Sequence, residues 1–79
     1  MRLDKFLKTS RIIKRRTIAK DVADQGKIEI NGRVAKSSSN VVVGDKVTIH
    51  FATNDSVFEV LSIQDSTKKN DAELMYRQL

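Results

Sequence analysis

Between positions 2 and 25 no Pro or Gly interrupts the chain, and apolar side chains recur at helical spacing. Leu3, Phe6 and Leu7 stand at i, i+3 and i+4, one face of two turns, with Lys5 and Lys8 turned outward. This pattern predicts a short first helix that weakens at Thr9 and Ser10. A second set, Ile18, Ala19, Val22 and Ala23, predicts a second helix over about Thr17 to Asp24 with these four side chains buried and Thr17 capping the first turn. Gly26 is its expected stop, because only glycine takes the left-handed backbone of that position without a Cβ penalty. The stretch between the helices, Ser10 to Arg16, is expected to include a helical turn.

After Gly26 the period changes from about 3.6 to 2. Ile28 and Ile30 alternate with Lys27 and Glu29, and Asn31-Gly32 then signals a tight hairpin, since a type I′ turn needs positive φ at both central residues. Val34 to Lys36 is the expected returning strand. Ser37-Ser38-Ser39-Asn40 reads as a polar loop, Val41 to Val43 as an apolar run stopped by Gly44-Asp45, and Val47, Ile49 and Phe51 as a strand alternating with Lys46, Thr48 and His50. Val57 to Ile63 follows after a turn. The fold class expected is α+β, a helix-loop-helix packed on a small antiparallel sheet of four to five strands. Residues 1–63 form the domain; residues 64–79 are a polar connector followed by a short C-terminal helix or tail, with Ala72 to Leu79 supplying two helical turns.

Composition narrows the function. At 79 residues the chain is one small domain, with 39% hydrophobic residues and a thin aromatic complement of three Phe and one Tyr. The absence of Cys removes disulfides, thiolate metal sites and a cysteine nucleophile, and a single His cannot build a histidine metal site. No apolar run reaches the length of a membrane span and no apolar leader opens the chain, so a cytoplasmic protein with no membrane partner, no metal and no cofactor is expected. No motif pairs a candidate acid with a base, which argues against an enzyme.

Charge is the strongest signal. Residues 1–40 carry eleven basic and four acidic side chains, a net +7, whereas the remainder carries a net −2. A small domain with so polarised a field attracts polyanions, of which nucleic acid is the prime case. Seven of the 15 basic residues lie between Arg2 and Arg16: Arg2, Lys5, Lys8, Arg11, Lys14, Arg15 and Arg16. Arg11, Lys14 and Arg15 at i, i+3 and i+4 share a face of any helical backbone, and Ile12 and Ile13 are placed to anchor it. Arginine suits phosphate because its planar fork donates two parallel hydrogen bonds. Thr17 and Lys20 on the second helix, and Arg33, Lys36 and Ser37 around the hairpin, are candidates to extend this surface. Asp4, the one acid between Arg2 and Lys20, either complements the start of the first helix or orients a neighbouring arginine. His50 reads as an exposed strand residue.

These residues also occur in a recognisable order. Arg2-Leu3-Asp4-Lys5-x-Leu7, Arg11, Lys14-Arg15-Arg16-Thr17, Gln25-Gly26, Ile30-Asn31-Gly32, Ala35-Lys36-Ser37 and Val43-Gly44-Asp45-Lys46-Val47 together resemble the S-four RNA-binding domain over about residues 1 to 50. The resemblance implies an RNA surface on the two-helix segment, here Arg2 to Lys20. With Arg15-Arg16-Thr17 before the second helix and Thr67-Lys68-Lys69 and Met75-Tyr76 in the tail, the chain is similar to short, stand-alone relatives of the bacterial heat-shock S-four protein. That likeness implies large-subunit ribosomal RNA and peptidyl-tRNA as partners on stalled subunits, with support of C-terminal tailing beside the factor RqcH by a protein that is monomeric when free. Two other readings remain: a general chaperone of ribosomal RNA, and a small DNA-binding helix-turn-helix regulator. The latter is disfavoured because such a reader concentrates its contacts at the start of the second helix.

Overall fold

The computed structural model describes residues 1–64 and 69–79, so the central part of the expected connector, 65–68, lies outside the described residues. In chain order the elements are α1 (Leu3–Thr9), α2 (Arg16–Asp24), β1 (Ile28–Ile30), β2 (Arg33–Val34), β3 (Lys46–His50), β4 (Asp55–Val60), α3 (Lys69–Ala72), a 3₁₀ turn (Glu73–Met75) and β5 (Tyr76–Gln78). All strands pair antiparallel in one sheet, ordered β2-β1-β3-β4-β5. The expected α+β class and helix-loop-helix on a small sheet are what the chain forms.

The α1 face of Leu3, Phe6 and Leu7 is fully buried, as its spacing dictates. Phe6 stacks on Phe58 of β4 at 6.4 Å between ring centroids, and Phe58 meets Tyr76 of β5 edge-on at 5.6 Å. Val47, Ile49 and Val60 complete the sheet side of the core, and Met75 seals it from the tail. α2 buries a narrow strip of small residues, Ala19 and Ala23. At about 100° per residue Val22 falls at the rim of that strip and Ile18 beyond it. Val22 is accordingly half-buried, and Ile18, expected inside, is 48% exposed.

Local turn chemistry holds where it was expected. Asn31 and Gly32 take φ of 53° and 81°, the two positive values of a type I′ hairpin. The Asn31 amide also reaches across to β3: its Oδ1 accepts the Lys46 N–H at 2.9 Å and its Nδ2 donates to Asp45 at 3.0 Å. Gly26, at φ 79°, ends α2; its N–H bonds the Ala23 carbonyl and the Lys27 N–H bonds that of Val22, a Schellman stop.

Other expectations change as well: Phe51 falls outside β3 and is exposed, and the strand expected over Val57 to Ile63 is Asp55–Val60. The returning strand is Arg33–Val34 rather than Val34 to Lys36, because Ala35 turns inward and Lys36 starts the serine loop. Thr17 does not cap α2: Arg15 is the extended N-cap residue, without a side-chain cap bond, and Thr17 is the second helical residue. Ser10 to Arg16, expected to include a helical turn, holds only the turn at Ser10 and Arg11 that closes α1 and, at Arg16, the first residue of α2. Finally, Ala72 to Leu79 does not continue as a helix; after the 3₁₀ turn Tyr76–Gln78 becomes the edge strand beside β4. Eight residues are too few to hold a helix alone, and backbone pairing with β4 is the stronger alternative. Residues 64–79 are thus partly woven into the sheet and core of the domain they follow.

Candidate nucleic-acid interface

The start of α1 is built against the serine loop. Leu3 and Asp4 donate their N–H groups to the carbonyls of Ser39 and Ser37, at 2.8 and 3.1 Å, and Arg2 forms an isolated bridge with Asn40. These bonds satisfy N–H groups that a helix start leaves without partners. They also turn Asp4 inward, where it is 2% exposed.

Asp4 is an organising carboxylate. Its Oδ1 accepts from the Lys5 N–H at 2.8 Å, from Arg2 Nε at 3.2 Å and from Arg16 Nη2 at 3.5 Å, while Oδ2 accepts from Arg2 Nη2 at 3.2 Å. Burial alone would raise its pKa. The Arg2 and Lys5 hydrogen bonds and the Arg16 and Arg2 charges outweigh that and hold the carboxyl below the ordinary value. Both roles open to Asp4 from sequence are met: it stands in the first turn of α1 and accepts the Lys5 N–H there, and it orients two arginines. Arg2 and Arg16 come from the starts of different helices, and each keeps about half of its side chain in solvent. Two guanidinium groups therefore share one buried anchor and present their outer edges together.

The loop between the helices carries the rest of the cationic cluster. Arg11, Lys14 and Arg15 are exposed, and Ile12 and Ile13 pack half-buried against the core. The anchoring role of the two isoleucines stands. The shared helical face does not, since Arg11 sits at φ 63° and Arg15 is extended. Arg11 is the left-handed stop of α1, its N–H bonding the Lys8 carbonyl at 3.0 Å. A glycine would be easier there; an L-residue in this region costs about 1–2 kcal/mol. Retaining an arginine at that cost suits a side chain with a use beyond the fold. Among the described residues none of Arg11, Lys14 and Arg15 takes part in an ion pair.

Other candidate residues separate by position. Lys8, Thr17, Lys20, Arg33 and Lys36 are exposed, and Lys5 is half-buried. Ser37 is 4% exposed and points into the structure: its N–H bonds Asp24 Oδ1 at 3.0 Å, and its hydroxyl serves the same carboxylate. These two bonds, with the charges of Lys20 and Lys36, hold the Asp24 carboxyl below its usual value. Ser37 therefore fastens the serine loop to the end of α2 and offers nothing to a ligand outside.

His50, expected as an exposed strand residue, is half-buried between two carboxylates. Nδ1 meets Asp55 Oδ1 of β4 at 2.9 Å, and Nε2 meets Glu29 of β1 in a close hydrogen bond. The Glu29 and Asp55 bonds raise its pKa above the ordinary value. This trio lies opposite the buried Val47 and Ile49 and ties three strands together. Among the described residues no group of three His, Asp or Glu side chains is arranged to hold a metal, and no helix is long and apolar enough to cross a membrane.

Comparison with known proteins agrees with this geometry. The S4 domain model matches residues 1–47, from the Asp4 anchor through the serine loop to the start of β3. A Streptococcus pneumoniae protein named RQC P-site tRNA stabilizing factor is 58% identical over 96% of this chain and 86% of its own length. The Bacillus subtilis protein of the same name is 57% identical over 96% of this chain and 88% of its own. Among solved structures, trimeric Heat Shock Protein 15 of Vibrio cholerae superposes with a TM-score of 0.90 at 30% identity, covering all of this chain and 81% of that one.

Proposed function

The chain belongs to the S4 domain family, and from that premise we propose that it is a non-enzymatic, ribosome-associated RNA-binding protein acting in ribosome quality control. The observation that carries this reading is the pair Arg2 and Arg16 held by buried Asp4 beside the exposed Arg11, Lys14 and Arg15. A row of oriented cations fixes a phosphate backbone in register without reading bases. The names of the relatives support P-site tRNA as one partner. On this reading the protein rests on large-subunit ribosomal RNA, contacts the peptidyl-tRNA of a stalled subunit, and favours C-terminal tailing of the nascent chain beside RqcH. The contact set is Arg2, Lys5, Lys8, Arg11, Lys14, Arg15, Arg16 and Lys20, with Arg33 and Lys36 at its margin; Ser37 is left out as a fold residue.

The outer face of α2 weakens the alternative of a DNA reader. Beside Arg16 and Lys20 it exposes Asp21 and Asp24, acids that a helix-turn-helix reader would have to carry into the groove between two phosphate backbones along with its second helix. Capture of the tagged protein from cells with sequencing of the bound nucleic acid tests the proposal. Large-subunit ribosomal RNA together with tRNA is the expected yield, ribosomal RNA of both subunits points to a general chaperone, and genomic DNA points to a regulator. Arg16→Ala should remain folded by circular dichroism and stop co-sedimenting with large subunits; wild-type co-sedimentation would move the binding surface away from Arg16.

A further inference from the structure

Between the α1–α2 loop and the tail lies a half-open cavity of about 370 Å³. Its walls come from two distant parts of the chain: Ser10, Arg11 and Lys14 from the loop, and Ala72, Glu73 and Tyr76 from the tail. The volume falls in the range of pockets for small organic ligands, and the chemistry is divided. Two cations stand on one wall. An exposed carboxylate and a half-buried aromatic ring stand on the other. The ring meets Phe58 edge-on, at an interplanar angle of 67°. Among the described residues Arg11 and Glu73, although they line one cavity, form no ion pair with each other.

We propose that this cavity holds one nucleotide of a bound RNA turned out of its stack, with guanine as the preferred base. Arg11 and Lys14 take the phosphate, the Tyr76 ring supplies the apolar surface on which an unstacked base rests, and Glu73 reads its edge. Single-stranded and bulged RNA is recognised in this way, by aromatic packing and hydrogen bonds to the Watson–Crick edge. An ionised carboxylate only accepts, and with two oxygens it can take two parallel donors. Guanine presents such a pair, N1–H and the N2 amino group. Adenine opposes the carboxylate with a ring-nitrogen lone pair, and uracil and cytosine lack the adjacent pair of donors. The inference rests on the RNA-binding reading and adds a base-specific contact to a surface otherwise blind to sequence.

The test is titration of the full chain, labelled with ¹⁵N, by guanosine 5′-monophosphate, adenosine 5′-monophosphate and inorganic phosphate. Guanosine monophosphate should shift the amides of Ser10, Arg11, Ala72 and Tyr76 saturably, at least about fivefold more tightly than adenosine monophosphate. Glu73→Gln, at an exposed site, should erase that preference; Arg11→Asn, which tolerates positive φ, should weaken all the nucleotides together. Inorganic phosphate producing the same shifts with the same affinity would reduce the cavity to a phosphate site and overturn the proposal. Equal affinity for both nucleotides would overturn the role of Glu73. A duplex RNA titration run in parallel separates the two levels: duplex binding without nucleotide shifts removes only the pocket, and loss of both removes the RNA-binding reading itself.

Discussion

Replacing Asp4 by Asn sets two accounts of the interface against each other with opposite signs. The side chain keeps its shape, but the amide nitrogen now faces a donor of Arg2 or Arg16, and the negative charge between the two guanidinium groups is gone. If affinity follows net charge alone, the variant binds RNA more tightly. One extra positive charge about 10 Å from a phosphate in water is worth about 0.4 kcal/mol, roughly twofold. If Asp4 acts by positioning, Arg2 and Arg16 regain side-chain freedom that can reach about 2 kcal/mol each when lost. Part of that freedom then opposes binding, for a net weakening of about 2 kcal/mol or roughly 30-fold. Stability also drops, by about 1 kcal/mol, because water can replace the anchor of two half-exposed guanidinium groups only in part. For a domain of this size that is a fall in Tm of about 4–8 °C. The assay is fluorescence anisotropy with a labelled RNA hairpin at about 0.1 M salt, where screening is effective beyond about 10 Å, with circular dichroism to confirm folding. Unchanged or tighter binding by the folded variant refutes the positioning argument.

Arg11→Gly should separate stability from function. Relief of the left-handed strain outweighs the entropy of glycine by about 0.5–1 kcal/mol and raises Tm, while RNA affinity falls; a lower Tm contradicts the strain argument. Gly26→Ala should cost about 1–2 kcal/mol in chemical denaturation, because of its φ of 79° rather than a clash, since the added Cβ meets only the Val34 side chain at 3.9 Å. His50 binds its proton more tightly in the folded state, so its contribution to stability is complete below the unfolded pKa of about 6.5 and fades as pH rises through the higher folded value. Thermal melts should therefore weaken from pH 6 toward alkaline pH in the wild type and lose that component in His50→Gln; parallel profiles for the two proteins exclude the trio as the cause. Binding to structured RNA should show a slope of log K against log salt of about −3 to −5, from four to six neutralised phosphates, and a slope near zero removes the electrostatic basis of the interface.

What could be read in the sequence was what local chemistry decides. Asn31-Gly32 and Gly26 specify positive φ within two residues, and Leu3, Phe6 and Leu7 specify a buried face within two turns. The cationic cluster was legible as a composition but not as a shape. The spacing of Arg11, Lys14 and Arg15 suggests a helical ridge only if the backbone is helical, and Arg11 itself ends the helix. Asp4 could be narrowed to two roles; that it fills both at once follows only when the serine loop more than thirty residues away buries it. His50 gave no signal because its partners lie on two other strands, and Glu29 reaches it only when β3 inserts between β1 and β4. The tail misled for a similar reason. Its apolar residues are compatible with a helix until β4 offers an unpaired edge.

The bonds from Leu3 and Asp4 to the serine loop carry a consequence for the order in which this molecule is assembled. The helix pair and the Asn31-Gly32 hairpin need only neighbours in the chain, and such contacts form early. Closing the loop between Asp4 and Ser37 comes with the entropy of more than thirty intervening residues, so it awaits the sheet that supports it. Until that closure Asp4 is a solvated carboxylate, and its bonds to Arg2 and Arg16 are open to water. A half-folded chain therefore carries the same charge as the finished one but not the same order, and a fixed arrangement of Arg2 and Arg16 around a buried carboxylate becomes a property of the completed molecule alone.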